Sequence, residues 1–532
     1  MSKRSICFVV LFLLAVPLCA DAPGVYAITG GTVHPVSGAA IPNGVVVIRG
    51  GLIESVGAGV AVPPDATVID AKGGHVYPGL IDAQTSLGFA SAAPRRRGFG
   101  GGGPQPPAAP QSQPPETSPA FLAVREVKLS DDDVEARRAT GVTTILTVPS
   151  SGIFNGQSAI INLSEGSIDS RVIRAGATQQ VSFNPRPAWS YPDSLMGVIS
   201  YIKQALLDTQ QNTAALTIYN QNPAGYKRPD QSAAADALAA VLRRDVPVVF
   251  IADSELMMRR AMAIGNEFKL RYILSGARQA YEMAGDLKAS GIPVLVSVKW
   301  PVAPTSKEDR EEQPLRVIRE RQLAPTSPAA LVKSGATFAL VSGAGKTGDF
   351  IPGVRKAIEN GLSADDALRA TTLSPARILG IDRQLGSLEK GKIANVVISD
   401  KPIFDEKAKV TRVLVDGREV KLGTPPAAGA GAATPLDGTW RITVKTSSGD
   451  ASITATLHVE DGHVTGTYSG DRGSGDIRNG SFDGTAFDFA IAAKSETESN
   501  DWVFHGTLSG TSMTGTVSTN LGTFQFSGSK GQ

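Results

Sequence analysis

Asp82, Gln84 and Ser86 alternate along the stretch Pro78 to Gly88, behind the apolar lead-in Val76-Tyr77-Pro78-Gly79-Leu80-Ile81. On a strand, whose side chains repeat every two residues, the three would share one face. A carboxylate, an amide and a hydroxyl set side by side can hydrogen-bond a polar molecule, but amide and hydroxyl oxygens are weak ligands for a transition metal. Four more polar residues stand at or just past the ends of apolar, strand-like runs: Asp253, Ser275, Lys299 and Ser342. A lysine in such a place can bind an anionic group or, stripped of water, act as a nucleophile; a plain salt bridge is the simpler role. Histidine is what the set lacks. The chain has five, His34, His75, His458, His463 and His505, and none falls between Leu80 and Val420. A triad built here would have no histidine base. Gly345-Lys346-Thr347 ends like a phosphate loop, but that pattern requires a glycine where Leu340 stands.

With 532 residues and 42% apolar content, the chain can bury large cores and should hold more than one domain. Residues 1–20 read as a secretory signal: Lys3 and Arg4, an apolar run from Ile6 to Leu18, then the small Ala20 or Ala22. The run is shorter than the roughly 20 residues that span a bilayer, and Leu18 is too large for the position before a lipidated cysteine. Both cysteines, Cys7 and Cys19, lie in that segment. The mature protein is therefore expected in an oxidising compartment, the bacterial periplasm, without a disulfide, a thiolate ligand or a stable membrane anchor. Without Lys3 and Arg4 the basic residues equal the acidic ones. That balance gives no support to nucleic-acid binding.

The elements that must position the polar set follow from pattern. Residues 24–75 read as short strands with Gly-Gly and Pro-Asn-Gly turns, and residues 385–421 carry the same signature. Between them, strand-like runs alternate with helices. The runs are 141–148, 158–163, 214–219, 246–251, 270–274, 292–298 and 337–341, and the helices include 133–139, 194–207 and 232–243. With the stretch after Pro78 they make about eight strands, which predicts a (β/α)8 barrel over 76–384. Ser363, with Asp366 three residues on, caps a closing amphipathic helix. Residues 90–120 are rich in Arg, Gly and Pro and read as a disordered insertion, either a flap over the barrel mouth or a tolerated surface loop. An Ala/Gly/Pro linker, 422–435, precedes a Thr/Ser/Gly-rich tail, 436–532, whose alternation predicts an antiparallel, up-and-down β barrel. The three histidines of that tail read as solvated.

The stretch after Pro78, the two flanks and the closing helix resemble the amidohydrolase superfamily, its imidazolonepropionase-like and related branches, over roughly residues 24–421. The resemblance implies a composite β-sandwich built from both flanks and a metal-dependent hydrolase of carbon–nitrogen bonds. It also implies metal ligands: two histidines on the first barrel strand, one each on the fifth and sixth, and an aspartate on the eighth. Here those positions hold Gln84 and Ser86, then Ile251, then Ser275 or Gly276, then Ser342-Gly343. Ser387-Leu388-Glu389-Lys390, which fits a serine acyl-transfer pattern, falls in a Gly-Ser-Leu-x-x-Gly-Lys turn that the resemblance makes structural. The expectation is a catalytically degenerate barrel with no metal cofactor. It would bind a small molecule through Gln84, Ser86, Asp253, Ser275, Lys299 and Ser342, or pair with an active homologous subunit. The alternative is an active amidohydrolase, with zinc or another divalent metal, working through an atypical site.

Overall fold

The structure, a computed structural model, describes residues 24–89, 118–149, 152–186, 191–303, 313–343, 349–423 and 434–531, apart from residues 447–448, 461–462, 472, 483–485, 495–498 and 520–521. The expected signal, nearly all of the 90–120 insertion and most of the 422–435 linker lie outside those residues.

The amino-terminal flank forms Tyr26–Val33 (β1), Ile41–Arg49 (β2), Leu52–Gly57 (β3), Thr67–Asp70 (β4) and His75–Pro78 (β5). Ten strands follow in the middle of the chain. They are Leu80–Thr85 (β6), Val142–Thr147 (β7), Phe154–Gln157 (β8), Ala159–Asn162 (β9), Val172–Arg174 (β10), Gln179–Ser182 (β11), Val248–Ala252 (β12), Tyr272–Gly276 (β13), Val294–Ser297 (β14) and Phe338–Val341 (β15). The later flank returns as Val396–Ser399 (β16), Val410–Val415 (β17) and Arg418–Glu419 (β18). Strand β16 pairs antiparallel with β5, so both flanks share one eight-stranded sheet around Ile28, Val46, Ile69, Val396 and Leu414. Asn395 pins this sheet to the central strands: its Nδ2 reaches Thr143, Thr144 and Asn162, and Asn162 in turn donates to Asp416 at 2.7 Å.

The wall of the central unit runs β6–β7–β9, then β8–β11–β12–β13–β14–β15. A bridge between Thr85 and Gly343 brings its last strand back to its first. Ile81, Ala83, Leu146, Ile160, Val249, Ile273, Leu295, Ala339 and Val341 form one cluster. The alternate residues, such as Leu80, Ile145, Phe250 and Leu274, pack in another with helix residues such as Val134, Ile202, Met258 and Val354. This is the alternation of a barrel with a filled interior.

Two expectations are corrected. Residues 214–219 are not a strand but the last part of a helix, Leu195–Gln221. The hydroxyls of Thr209, Thr213 and Thr217 each donate to the carbonyl four residues back, at 2.7, 2.8 and 2.9 Å, so their polar groups are satisfied without leaving the helix. The wall strand is instead β11. The sheet is also not wholly parallel. Strand β9 runs antiparallel to β7, and β8 antiparallel to β11. The link from β7 is too short for the dozen or more residues a parallel crossover needs.

The tail forms Gly438–Thr446 (β19), Gly449–Glu460 (β20), His463–Gly470 (β21), Gly473–Asp476 (β22), Arg478–Phe482 (β23), Ala486–Lys494 (β24), Ser499–Ser509 (β25), Ser512–Thr519 (β26) and Gly522–Lys530 (β27). Pairing of β20 with β21 closes the sheet into a barrel, and β22 hangs on β21. Its interior is its own, with Trp440, Phe487, Phe489, Phe504 and Phe526 buried together. His458 and His505 lie outside, held by Asp437 and Asp488 at 2.9 and 2.5 Å. The side chain of His463 lies outside the described residues.

Candidate functional site at the barrel seam

Where β6 meets β15, the seam is built on one buried carboxylate. Asp82 is fully buried. Its Oδ2 receives Arg137 Nη1 at 3.1 Å and the Ser342 hydroxyl at 2.5 Å, and its Oδ1 receives the Ser342 backbone N–H at 3.0 Å. Arg137 lies on the helix Asp131–Ala139, which Ser130 caps by accepting from the Asp133 backbone. That helix also buries Val134, one turn before Arg137, so the arginine points to the wall rather than to water. Its Nη2 donates to Thr85 Oγ1 at 3.3 Å. Loss of water pushes the Asp82 carboxyl above the ordinary carboxylate range, and Arg137 and Ser342 oppose that rise.

Asp82 and Thr85 both meet Arg137 although they are three residues apart. A register shift between them against β7 explains this: one extra residue is accommodated in β6. The expected single face of Asp82, Gln84 and Ser86 is therefore broken by a bulge. Gln84 turns the other way. Its Nε2 donates to Gln180 Oε1 on β11 at 3.1 Å, between strands that are not neighbours in the sheet, so the bond crosses the barrel interior. Gln180 donates to Thr178 Oγ1 at 2.9 Å, and Thr178 shares a 2.6 Å bond with Ser158. All four are buried. At the head of this row Gln84 Oε1 is buried with no hydrogen-bond partner among the described residues. Reversing every amide and hydroxyl runs the same row the other way and leaves an N–H there instead.

The remaining expected residues are placed as follows. Ser342 is committed to Asp82, so its hydroxyl is not an open group at the mouth. Ser275 is buried on β13, in register with Ile251 on β12. Asp253 is exposed just past β12 and pairs with Arg278 at 3.2 Å. Lys299 is exposed past β14, and its backbone N–H donates to Ser297 Oγ at 3.3 Å. Ser86 is half-buried past the end of β6, where its carbonyl accepts the Phe89 N–H. The seam thus joins Gln84 and Ser342 through Asp82 and the backbone. Ser275 and Ile251 form a second group.

This donor set does not fit a catalytic divalent metal. Gln84, Ser86, Ile251, Ser275 and Gly343 supply neither imidazole nor thiolate nor carboxylate. The one carboxylate buried among them, Asp82, already balances a guanidinium. Among the described residues, no three His, Cys, Asp or Glu side chains gather as a metal site would require. Ser387 offers no nucleophile either: its hydroxyl meets Lys392 at 2.6 Å, not Lys390, and Glu389 holds that lysine as a cation at 2.8 Å.

Arg137, Thr85, Gln180 and Ser297 are part of the site and were not singled out from sequence. For Arg137 a signal existed, since it follows the apolar Val134 at helical spacing. For Gln180 there was none, because a Gln-Gln pair does not read as a wall strand.

Residues 302–420 of the chain match the amidohydrolase family. An imidazolonepropionase from Symbiobacterium thermophilum is 25% identical over 401 residues, which is 68% of this chain and 85% of that protein. Among solved structures, an amidohydrolase from Thermotoga maritima MSB8 superposes with a TM-score of 0.62 at 22% identity, over 74% of this chain and 99% of that one. That last likeness is one of fold.

Proposed function

We propose that this chain, which the matched segment, the curated relative and the fold support as a member of the amidohydrolase superfamily, uses its barrel to bind a small neutral molecule and not for metal-dependent hydrolysis. The observation that carries this reading is the Gln84 amide. It is 7% exposed, tied to Gln180, and has one polar atom without a partner among the described residues. Leaving such an atom unpaired costs about 1–3 kcal/mol, which a ligand offering one hydrogen bond would recover. The groups around it are amides and hydroxyls, and the nearby charges Asp82 and Arg137 cancel. A neutral ligand with an amide or hydroxyl suits them, because an ionised one would enter the barrel without a counter-charge.

The test is calorimetric titration of the protein with neutral cyclic amides and with monosaccharides, repeated on Gln84→Leu. Binding that the variant loses supports the reading. Binding unchanged in the variant overturns it.

A second reading, hydrolysis of a carbon–nitrogen bond, is favoured by the imidazolonepropionase relative. It requires about one equivalent of zinc, manganese or iron in the purified protein, and turnover of a cyclic amide that a chelator abolishes. The binding reading expects neither.

A further inference from the structure

The buried row Gln84–Gln180–Thr178–Ser158 has a free end and an anchored end. Each of its side-chain nitrogens and oxygens has a partner except Gln84 Oε1, so the orphan is collected at the head of the row. A row of amides and hydroxyls can run in two directions, and each member's choice fixes that of the next. The direction decides what Gln84 shows a ligand. In one it is an oxygen that accepts; in the other it is an N–H that donates.

The anchored end selects between them. Ser158 stands between β8 and β9, Thr178 stands just before β11, and both are buried. Here the row meets backbone groups, which cannot turn over. The Thr178 N–H donates to Ser158 Oγ at 3.1 Å, so the serine hydroxyl must send its own proton elsewhere. The Thr178 carbonyl takes that proton at 3.4 Å, as a second and longer bond beside the Ser158 N–H at 2.9 Å. The Thr178 hydroxyl then donates to Ser158 Oγ at 2.6 Å and accepts from Gln180, and Gln180 accepts from Gln84. Gln84 Oε1 is the acceptor left over. In the opposite direction Ser158 would turn its proton to Thr178 Oγ1, and its bond to the carbonyl would be lost.

We propose that Ser158 sets the specificity of the barrel: acting through Thr178 and Gln180, it holds Gln84 as an acceptor, so the neutral ligand is one that presents an N–H or O–H donor. This rests on the binding reading above and adds which side of the hydrogen bond the ligand supplies. Ser158 is a positioning residue, three side chains removed from the ligand. Without its hydroxyl, the acceptor that the row still offers the Thr178 proton is Gln180, and pairing them reverses the row.

The experiment is calorimetric titration of the full chain with two probes matched in ring and carbonyl. One is 2-pyrrolidinone, which carries an N–H; the other is γ-butyrolactone, in which a ring oxygen replaces it. The unmodified chain should bind the lactam roughly two- to tenfold more tightly, the worth of one hydrogen bond. Ser158→Ala should bring that ratio to about one, and Thr178→Ser, which keeps a hydroxyl in the row, should preserve it. Thr178→Val cuts the row and should lower the ratio by itself, which carries the same test if Ser158→Ala does not fold. Adding Ser158→Ala to Thr178→Val should not move the ratio further, whereas a merely structural role for Ser158 would act in both backgrounds. No binding of either probe, or binding that Gln84→Leu leaves unchanged, overturns the binding reading and this inference with it. Binding that needs Gln84 but shows no lactam preference, or a preference that Ser158→Ala leaves alone, overturns this inference and spares the reading.

Discussion

Removing the Arg137 guanidinium by Arg137→Met should be among the most damaging single changes in the barrel. The arginine is 1% exposed and its partner Asp82 fully buried, so the substitution strands a carboxylate in a place without water. Breaking a buried pair from one side costs about 3–5 kcal/mol. At about 2 °C per kcal/mol, the low end for larger domains, the barrel transition should fall by roughly 6–10 °C. The variant also carries a pH signature whose sign is fixed. Burial already raises the Asp82 carboxyl, and loss of Arg137 removes the main opposing charge, so the folded carboxyl rises further. Between the ordinary carboxylate value and the raised one, the folded chain holds a proton that the unfolded chain has lost. Folding then takes up a proton, and stability falls as pH rises. The defect should therefore be larger at pH 8 than at pH 5. Asp82→Asn alone leaves a buried guanidinium and should also destabilise, whereas Asp82→Asn/Arg137→Met should recover much of the sum. Differential scanning calorimetry on the four proteins at two pH values is the assay. A melting temperature for Arg137→Met within about 1 °C of the unmodified protein, or two single effects that simply add, would refute the reasoning.

Three further outcomes are expected. His34 Nε2 and His75 Nδ1 share one hydrogen bond at 3.0 Å, and burial first, then His75, holds His34 below the ordinary histidine value near 6.5, with Asp365 opposing. The unfolded chain then binds the extra proton, so stability should drop as pH falls through about 6.5, and His75→Gln should flatten that slope in a pH series of melts. Residues 434–532 expressed alone should give a β-type circular dichroism spectrum and a cooperative melt, since their sheet closes on itself around its own core; a featureless melt contradicts this. Gln84→His/Ser86→His should show no hydrolysis of cyclic amides with added zinc, and turnover above background would mean the chemistry lies elsewhere.

What could be read from the chain followed burial. Apolar, β-branched runs such as Val248–Ala252 and Tyr272–Gly276 announce themselves because both of their faces are covered. Gln179–Ser182 stayed hidden because its polar side chains serve hydrogen bonds that only the folded barrel supplies, as Gln180 does between Gln84 and Thr178. Residues 214–219 misled for the opposite reason: an uncharged run with Thr217, Ile218 and Tyr219 has strand composition, and only continuity with the buried face before it makes it helix. The absence of histidine from the barrel was plain in sequence. The bulge that separates Asp82 from Gln84 was not, because a strand pattern assumes the period that a bulge breaks.

The five positions at which the resemblance leads one to expect metal ligands are not independent of one another, because the backbone is fitted to the residues that stand there. Gly343 sits at φ +63°, where a Cβ would come within 2.8 Å of Ser297 Oγ. An aspartate there would carry the strain of a left-handed backbone, of order 1–3 kcal/mol, and would crowd the serine. The same residue donates its N–H to the Gln84 carbonyl at 2.9 Å, so a shift to relieve that crowding would loosen the closure of β6 on β15. Gly276 lies at φ +92°, where any side chain is strained, and its Cβ would lie 2.3 Å from Oδ1 of the exposed Asp253, which would have to swing aside. Ser342, beside Gly343, gives both its hydroxyl and its N–H to Asp82, and Asp82 is balanced by Arg137. Each position expected to hold a ligand is thus a glycine whose left-handed backbone strains any side chain, a side chain already committed to the seam, or a group left neutral. Restoring imidazoles at residues 84 and 86 alone would leave this arrangement intact, with the seam's buried carboxylate, Asp82, still paired with Arg137 and not placed to take a proton from water. A metal placed at the mouth by new imidazoles would therefore also need changes at the seam, where Ser342 and Gly343 hold β15 to β6.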